Sequence, residues 1–277
     1  MKDKSEDENP VYRVCVRRLG ENRMPVIQYI DVCKKFTGSS RYAVDRVSAE
    51  IESGEFITIL GSSGCGKTTL LKLTNRLYDP DSGKIIVEGE DISNVDPVEL
   101  RRRLGYVIQQ VGLFPHMTIK ENITVIPGLM KWDKQRMDER ADELLELVGL
   151  EPSEFRNRYP HQLSGGQQQR IGLARALVLD PDIMLLDEPF GAIDAITRLN
   201  LQNELMRIHG GLGKTFLFVT HDINEAFKLG SRVMVMNEGR LLQFDEPHEI
   251  VRHPADAFVQ SLIASARSQE QFWQGTV

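Results

Sequence analysis

An apolar run at residues 56–60, Phe-Ile-Thr-Ile-Leu, leads directly into Gly-Ser-Ser-Gly-Cys-Gly-Lys-Thr at residues 61–68. This order leaves the chain little local choice. The pattern G-x-x-x-x-G-K-[ST] binds polyphosphate through successive backbone N–H groups pointing into one concavity, and glycine is needed where the chain turns tightly or approaches the anion. Gly61, Ser62, Ser63, Gly64, Cys65 and Gly66 form the expected cradle, Lys67 adds a cation, and the Thr68 hydroxyl is placed to ligand Mg²⁺. A helix starting near Thr68 points its positive end at the same anion. Strand, phosphate loop and helix are therefore predicted in succession. Alone, the loop specifies a nucleotide, and a plain Gly-rich turn before a helix is its alternative.

A second signal lies downstream. Residues 163–170 read Leu-Ser-Gly-Gly-Gln-Gln-Gln-Arg, and residues 183–189 read Ile-Met-Leu-Leu-Asp-Glu-Pro. The latter is an apolar strand ending in two carboxylates. A central parallel strand is apolar on both faces, so such a pair at its C-terminal end lies in the crevice where doubly wound sheets bind ligands. Asp187 would hold Mg²⁺ through water and Glu188 would polarise the attacking water. Two charges that simply end a strand in solvent are the alternative, which the upstream loop disfavours.

With both signals in this order, the chain resembles the ATP-binding subunits of ABC transporters from about residue 27 to about residue 263. Residues 163–167 match that family's signature without departure. The resemblance implies that Thr69 joins the phosphate-loop residues in contacting ATP, and that Ser164, Gly165, Gly166 and Gln167 contact a nucleotide as well. It places Gln109 at the Q-loop position, sensing Mg²⁺ and the γ-phosphate, and His221 at the switch histidine. Asp194 matches the D-loop, where this chain has Ile193 in place of the usual Leu. Phe36 occupies the place of the aromatic that stacks on adenine, with Tyr42 close by as the alternative. Metal ligation is expected from Thr68, Gln109 and Asp187, and catalysis from Glu188, His221 and Gln109.

Composition agrees with an enzyme subunit: 277 residues, 41% hydrophobic and 27% charged. No stretch approaches the roughly 18 uninterrupted apolar residues that span a bilayer, and residues 1–10 carry no apolar signal core, so a peripheral position on the cytoplasmic face of the membrane is expected. The net charge of −6 argues against a nucleic-acid partner. Cys15, Cys33 and Cys65 fit no paired or metal-ligand spacing. Cys65, at a helix N-terminus, is either a stabilised thiolate or a small filler.

The fold expected is α/β, a P-loop NTPase of ABC type with a mixed sheet core, an antiparallel β subdomain and a helical subdomain at about residues 110–165. The ATPase domain is placed at residues 11–265, between a disordered tail at 1–10 and a C-terminal tail at 266–277. Strands are expected at 11–16, 26–32, 47–51, 56–60 and 84–87, with a turn at 20–22, forming a mixed sheet around the first helix. Further strands are expected at 183–186 and 215–219. In residues 133–148, Met137, Ala141, Leu144, Leu145 and Val148 recur at helical spacing. Other helices are expected at about 166–179, about 195–209, and after His221.

The helical insertion carries the signature away from its own phosphate loop, so it needs another chain's nucleotide. By resemblance, two subunits dock head to tail around two ATP molecules, as a homodimer or a heterodimer. Membrane permease subunits would take up the motion through the groove around Gln109, with Gln110, Leu113, Phe114 and Pro115 as candidate contacts, and a substrate-binding protein completes the complex. The wording of residues 103–175 and 188–198 looks like importer ATPases for glycine betaine, carnitine and choline; another polar solute such as an amino acid is the runner-up. With the sequence ending at Val277, no pair of C-terminal CBS modules is expected. A soluble ABC ATPase would normally carry two cassettes or a long coiled coil, and a binding module without turnover would be expected to lack Glu188 or His221.

Overall fold

The computed structural model describes residues 25–191 and 193–274, with side chains described as far as residue 267. The tail at 1–10, the strand at 11–16 and the turn at 20–22 lie outside the described residues, as does Ala192.

Among the described residues, ten strands form two sheets. The first is antiparallel, ordered β2-β1-β4-β5, from β1 (Pro25–Lys34), β2 (Val44–Glu52), β4 (Ser82–Val87) and β5 (Glu90–Asp91). Strands 47–51 and 84–87 thus belong to a sheet of their own, separate from the sheet that residues 56–60 enter. The reason is local: β1 pairs directly with both β2 and β4. By contrast, β3 (Phe56–Gly61) finds its neighbours far along the chain, in β8 (Thr215–Thr220) and β9 (Arg232–Asn237).

The second sheet runs β10-β9-β3-β8-β7-β6, with β6 (Leu104–Val107), β7 (Ile183–Asp187) and β10 (Arg240–Asp245). Its pairings are parallel except that of β10 with β9. β3, β7 and β8 are buried at every position because both faces of the sheet are covered. Alternate residues serve the two faces. Ile57, Ile59, Leu185, Leu217 and Val219 pack with α1 (Lys67–Thr74) and the antiparallel sheet. Phe56, Met184, Leu186, Phe216 and Phe218 pack with α6 (Gly165–Ala176) and α7 (Ala195–Leu212).

Between β6 and β7 the chain forms α3 (Ile119–Leu129), α4 (Lys134–Leu147) and α5 (Pro152–Phe155) before α6, following the short α2 (Pro97–Arg103). The expected helix at 133–148 appears as α4, capped by Asp133 accepting the Arg136 N–H, and it buries Ala141, Leu144 and Leu145. α6 ends three residues before the expected boundary at 179, and α7 runs beyond 209. β9 and β10 have no counterpart in the sequence reading. α8 (Ile223–Leu229), α9 (Pro247–Arg252) and α10 (Ala257–Gln274) complete the order, α10 running across the expected boundary between residues 265 and 266. Among the described residues no helix is long and apolar enough to cross a membrane.

Candidate active site

The phosphate loop is shaped by close approach. A Cβ at Gly66 (φ 108°) would stand 2.0 Å from Ala43 O, and one at Gly61 would stand 2.2 Å from Met236 O. No side chain fits at either point. Gly64 (φ 76°) has open space around it, so its requirement is the left-handed backbone alone. The Cys65 N–H donates to Ser62 O at 3.2 Å, while Ser62 and Ser63 are exposed. Lys67 Nζ closes the loop on itself, donating to Gly61 O at 2.8 Å and Ser62 O at 3.0 Å. The Cys65 side chain is only 3% exposed, in the core beneath the loop, and burial pushes its thiol up. It is a filler, and the thiolate reading falls because desolvation outweighs the nearby Lys67.

Five side chains converge above the sheet. Thr68 Oγ1 donates to Asp187 Oδ1 at 2.7 Å. Gln109 Nε2 donates to Glu188 Oε2 at 3.2 Å, and His221 Nδ1 lies 3.3 Å from that same oxygen. Gln109, Glu188 and His221 follow the adjacent parallel strands β6, β7 and β8, and Asp187 ends β7; the C-terminal ends of these strands lie side by side, with Val107 opposite Leu186 and Asp187 opposite Val219. Glu188 has φ 43°, a left-handed conformation uncommon for a residue with a side chain. It is held there by its N–H to Val219 O at 3.1 Å and by the Gly191 N–H to its own carbonyl at 3.2 Å. Such held strain is a feature of functional sites.

Burial pushes the Asp187 carboxyl above the usual carboxylate range; the Thr68 hydrogen bond and Lys72 oppose this, and Glu188 adds to it. A cation placed here would reverse the shift. Tyr106 Oη, buried without a hydrogen-bond partner, has its phenol raised by burial and by Asp187. The hydroxyl, carboxylate and amide of Thr68, Asp187 and Gln109 are the hard oxygen donors that Mg²⁺ takes. Among the described residues no group of three or more His, Cys, Asp or Glu is placed to hold a metal alone, so Mg²⁺ here would also draw on phosphate oxygens.

The signature stands apart from this cluster. Ser164 caps α6 reciprocally with Gln167: the Gln167 N–H donates to Ser164 Oγ at 3.3 Å and the Ser164 N–H to Gln167 Oε1 at 2.9 Å. Ser164 and Gly165 are exposed, whereas a Cβ on Gly166 would meet Thr197 Cγ2 at 2.5 Å. Among the described residues no hydrogen bond joins residues 164–167 to residues 61–69. Asp194 caps α7, accepting the Thr197 N–H at 3.0 Å, and that bond holds its carboxyl below the usual range.

Phe36 is 38% exposed and meets Tyr78 edge-on at 5.2 Å; Tyr42 is 47% exposed and precedes Ala43, whose carbonyl faces Gly66. A lysine stands over each ring, Lys34 Nζ 5.9 Å from the Phe36 centroid and Lys35 Nζ 5.5 Å from the Tyr42 centroid. Of the expected permease contacts, Gln110, Phe114 and Pro115 are exposed, while Leu113 packs against the core. The sequence reading missed Arg175 on α6, whose guanidinium donates to Val111 O at 2.5 Å and Gly112 O at 2.9 Å, clasping the segment that follows Gln109. Nothing local signals this, because the partners lie more than 60 residues apart.

The sequence matches the ABC transporter family over residues 44–191. It is 53% identical over 86% of its length to the choline transport ATP-binding protein OpuBA of Bacillus subtilis (strain 168), and 51% identical over 87% to the carnitine transport ATP-binding protein OpuCA of Listeria monocytogenes serotype 1/2a (strain 10403S). The chain spans 62% and 60% of the lengths of those two relatives. In structure it is similar to an ATP-binding cassette solved as a dimer in a post-hydrolysis state with ADP and phosphate (TM-score 0.71, 34% identity, covering 80% of this chain and 98% of that one).

Proposed function

This chain belongs to the ABC transporter family, and from that premise we propose that it hydrolyses ATP to drive import of a quaternary ammonium osmoprotectant of the glycine betaine, carnitine or choline type. The observation that carries the substrate class is its identity of 53% and 51% with ATP-binding proteins of choline and carnitine transport, over more than four-fifths of its length.

The loop at residues 61–68 and the positive end of α1 receive the phosphates, with Lys67 supplying a cation. Glu188 orients a water toward the terminal phosphorus and takes its proton as the new P–O bond forms and the bond to the leaving diphosphate breaks. The Gln109 hydrogen bond to Glu188 Oε2, with the His221 imidazole beside the same oxygen, fixes that carboxylate's direction. Thr68, Asp187 and Gln109 would hold Mg²⁺, which would neutralise charge on the phosphates. Thr69 lies beside this group, and Phe36 or Tyr42 offers the stacking face for adenine.

Ser164, Gly165, Gly166 and Gln167, with the N-terminus of α6, complete the site of a second copy, and Asp194 lies at the same face. The exposure of Ser164 and Gly165, together with the dimeric state of the similar cassette, supports this arrangement. Permease subunits on the membrane and a substrate-binding protein are the further partners, with Gln110, Phe114 and Pro115 offering exposed contacts. The subunit then works at the cytoplasmic face.

The complex isolated from native membranes by a tag on this chain, reconstituted with ATP in vesicles, decides the reading. Uptake of labelled glycine betaine, choline or carnitine with stimulated ATP hydrolysis is expected. Uptake of an amino acid and of no quaternary amine would overturn the substrate class alone.

A further inference from the structure

A polar cluster between α7 and α8 ties the residues beside Asp194 to the turn carrying His221. Arg198 lies in the first turns of α7. Its Nη2 donates to Ile193 O at 3.0 Å, its Nη1 is 4.0 Å from Asp222 Oδ2 and its Nε is 3.8 Å from Glu225 Oε1. Glu225 is 7% exposed, and a carboxylate so buried persists only when paired and hydrogen-bonded. It accepts from Thr220 Oγ1 at 2.7 Å and from Gln202 Nε2 at 3.2 Å. Thr220 Oγ1 in turn accepts the Asp222 N–H at 3.0 Å. Thr220 and Asp222 are the chain neighbours of His221, so the turn is held on both sides while its imidazole reaches Glu188.

One member of this cluster is incompletely satisfied. Arg198 Nε is buried without a hydrogen-bond partner, and the facing Glu225 oxygen stands just outside hydrogen-bond range. A buried unpaired donor is costly, so a small shift of the guanidinium toward Glu225 is favoured by the bond it would complete. The other end of that guanidinium is fastened to the Ile193 carbonyl, next to the exposed Asp194.

We infer that Arg198 is a positioning residue that couples residues 193 and 194 to His221, so that displacement of the Ile193 carbonyl is relayed through Glu225, Thr220 and Asp222 to the imidazole facing Glu188. This rests on the ATP-hydrolysing reading above. Among the described residues, the Arg198 guanidinium makes no hydrogen bond or ion pair with residues 61–69 or 164–167, its partners being Ile193, Asp222 and Glu225.

The test uses the full chain with Arg198→Ala, Arg198→Lys and the control Lys228→Ala. Lys228 Nζ also bridges α8 to α7, donating to Gln202 Oε1 at 3.1 Å and Asn203 Oδ1 at 3.0 Å, without reaching Ile193 or Asp222. Arg198→Ala should lower kcat about tenfold with ATP affinity held within about twofold, and Lys228→Ala should leave both unchanged. Arg198→Lys should recover part of the rate, because an ammonium lacks the planar fork that spans several acceptors. In single-turnover phosphate release on a His221→Ala background, Arg198→Ala should cause no further loss. In ¹⁵N-histidine NMR spectra, the His221 imidazole signals should move in Arg198→Ala and stay in Lys228→Ala. An unchanged His221 signal, or an equal loss of rate on the His221→Ala background, overturns the inference. If the wild-type chain hydrolyses no ATP, the activity reading fails and the NMR comparison alone decides the coupling; if Arg198→Ala does not fold, Arg198→Lys carries the same comparisons.

Discussion

The Thr68 hydroxyl donates a 2.7 Å hydrogen bond to Asp187 Oδ1, joining the first turn of α1 to the end of β7. Both oxygens are held where a hard cation would need them. Thr68→Ala should therefore raise the Mg²⁺ concentration for half-maximal ATP hydrolysis about tenfold, with the thermal midpoint lowered by only a few degrees, in keeping with the loss of one hydrogen bond of about 1 kcal/mol. A Mg²⁺ titration of the steady-state rate measures this, and an unchanged half-saturation point would remove Thr68 from the ligand set.

Glu188→Gln keeps the shape of the side chain and removes the base. Turnover should fall by at least about a hundredfold while ATP binding persists, leaving a nucleotide-bound dimer visible by size-exclusion chromatography with light scattering. Hydrolysis near the wild-type rate would reassign the attacking water to another group.

Shared sites predict rescue between defective chains. Lys67→Ala and Ser164→Ala homodimers should each be nearly inactive, and mixing them should restore part of the activity, because one site of a mixed dimer retains both intact halves. Mixed dimers that form, as tracked by differently tagged chains, and yet gain no activity would count against the two-copy arrangement.

The loop glycines should separate by mechanism. Gly64→Ala meets no neighbour and should cost about 1 kcal/mol of stability through its left-handed backbone, whereas Gly66→Ala drives a methyl into the Ala43 carbonyl and should cost several times more. Urea unfolding of the two variants makes the comparison, and equal losses would contradict the packing.

His209 gives the fold an acid sensitivity. Its ring packs at 5.2 Å from that of Phe56 and 5.1 Å from that of Phe216, and burial lowers its pKa, with the carbonyl contacts of Gly54 and Lys214 opposing. The folded state thus binds this proton less readily than the unfolded state. Its contribution is fully present above the ordinary histidine pKa of about 6.5 and is lost as pH falls through the lowered value. Between about pH 7.5 and about pH 5.5 the wild-type melting temperature should fall further than that of His209→Phe, and parallel curves from scanning calorimetry would exclude His209 as a source.

The sequence by itself determined those features whose partners lie within a few positions. The strand, loop and helix from residue 56 to residue 74 follow from an apolar run, spaced glycines and a lysine. The caps of α4 and α6 follow from Asp133 and from Ser164 with Gln167, since each is a bond across three residues. The family was legible for the same reason, because its motifs are short and ordered along the chain. Tertiary structure alone decided the separation of β1, β2 and β4 from β3, the burial that makes Cys65 a filler, and the clasp of Arg175 on the segment after Gln109. It also decided that Gln109 and His221 meet at a single oxygen of Glu188. That meeting depends on the register of three parallel strands, and parallel neighbours are joined by long crossovers whose pairing no local pattern specifies.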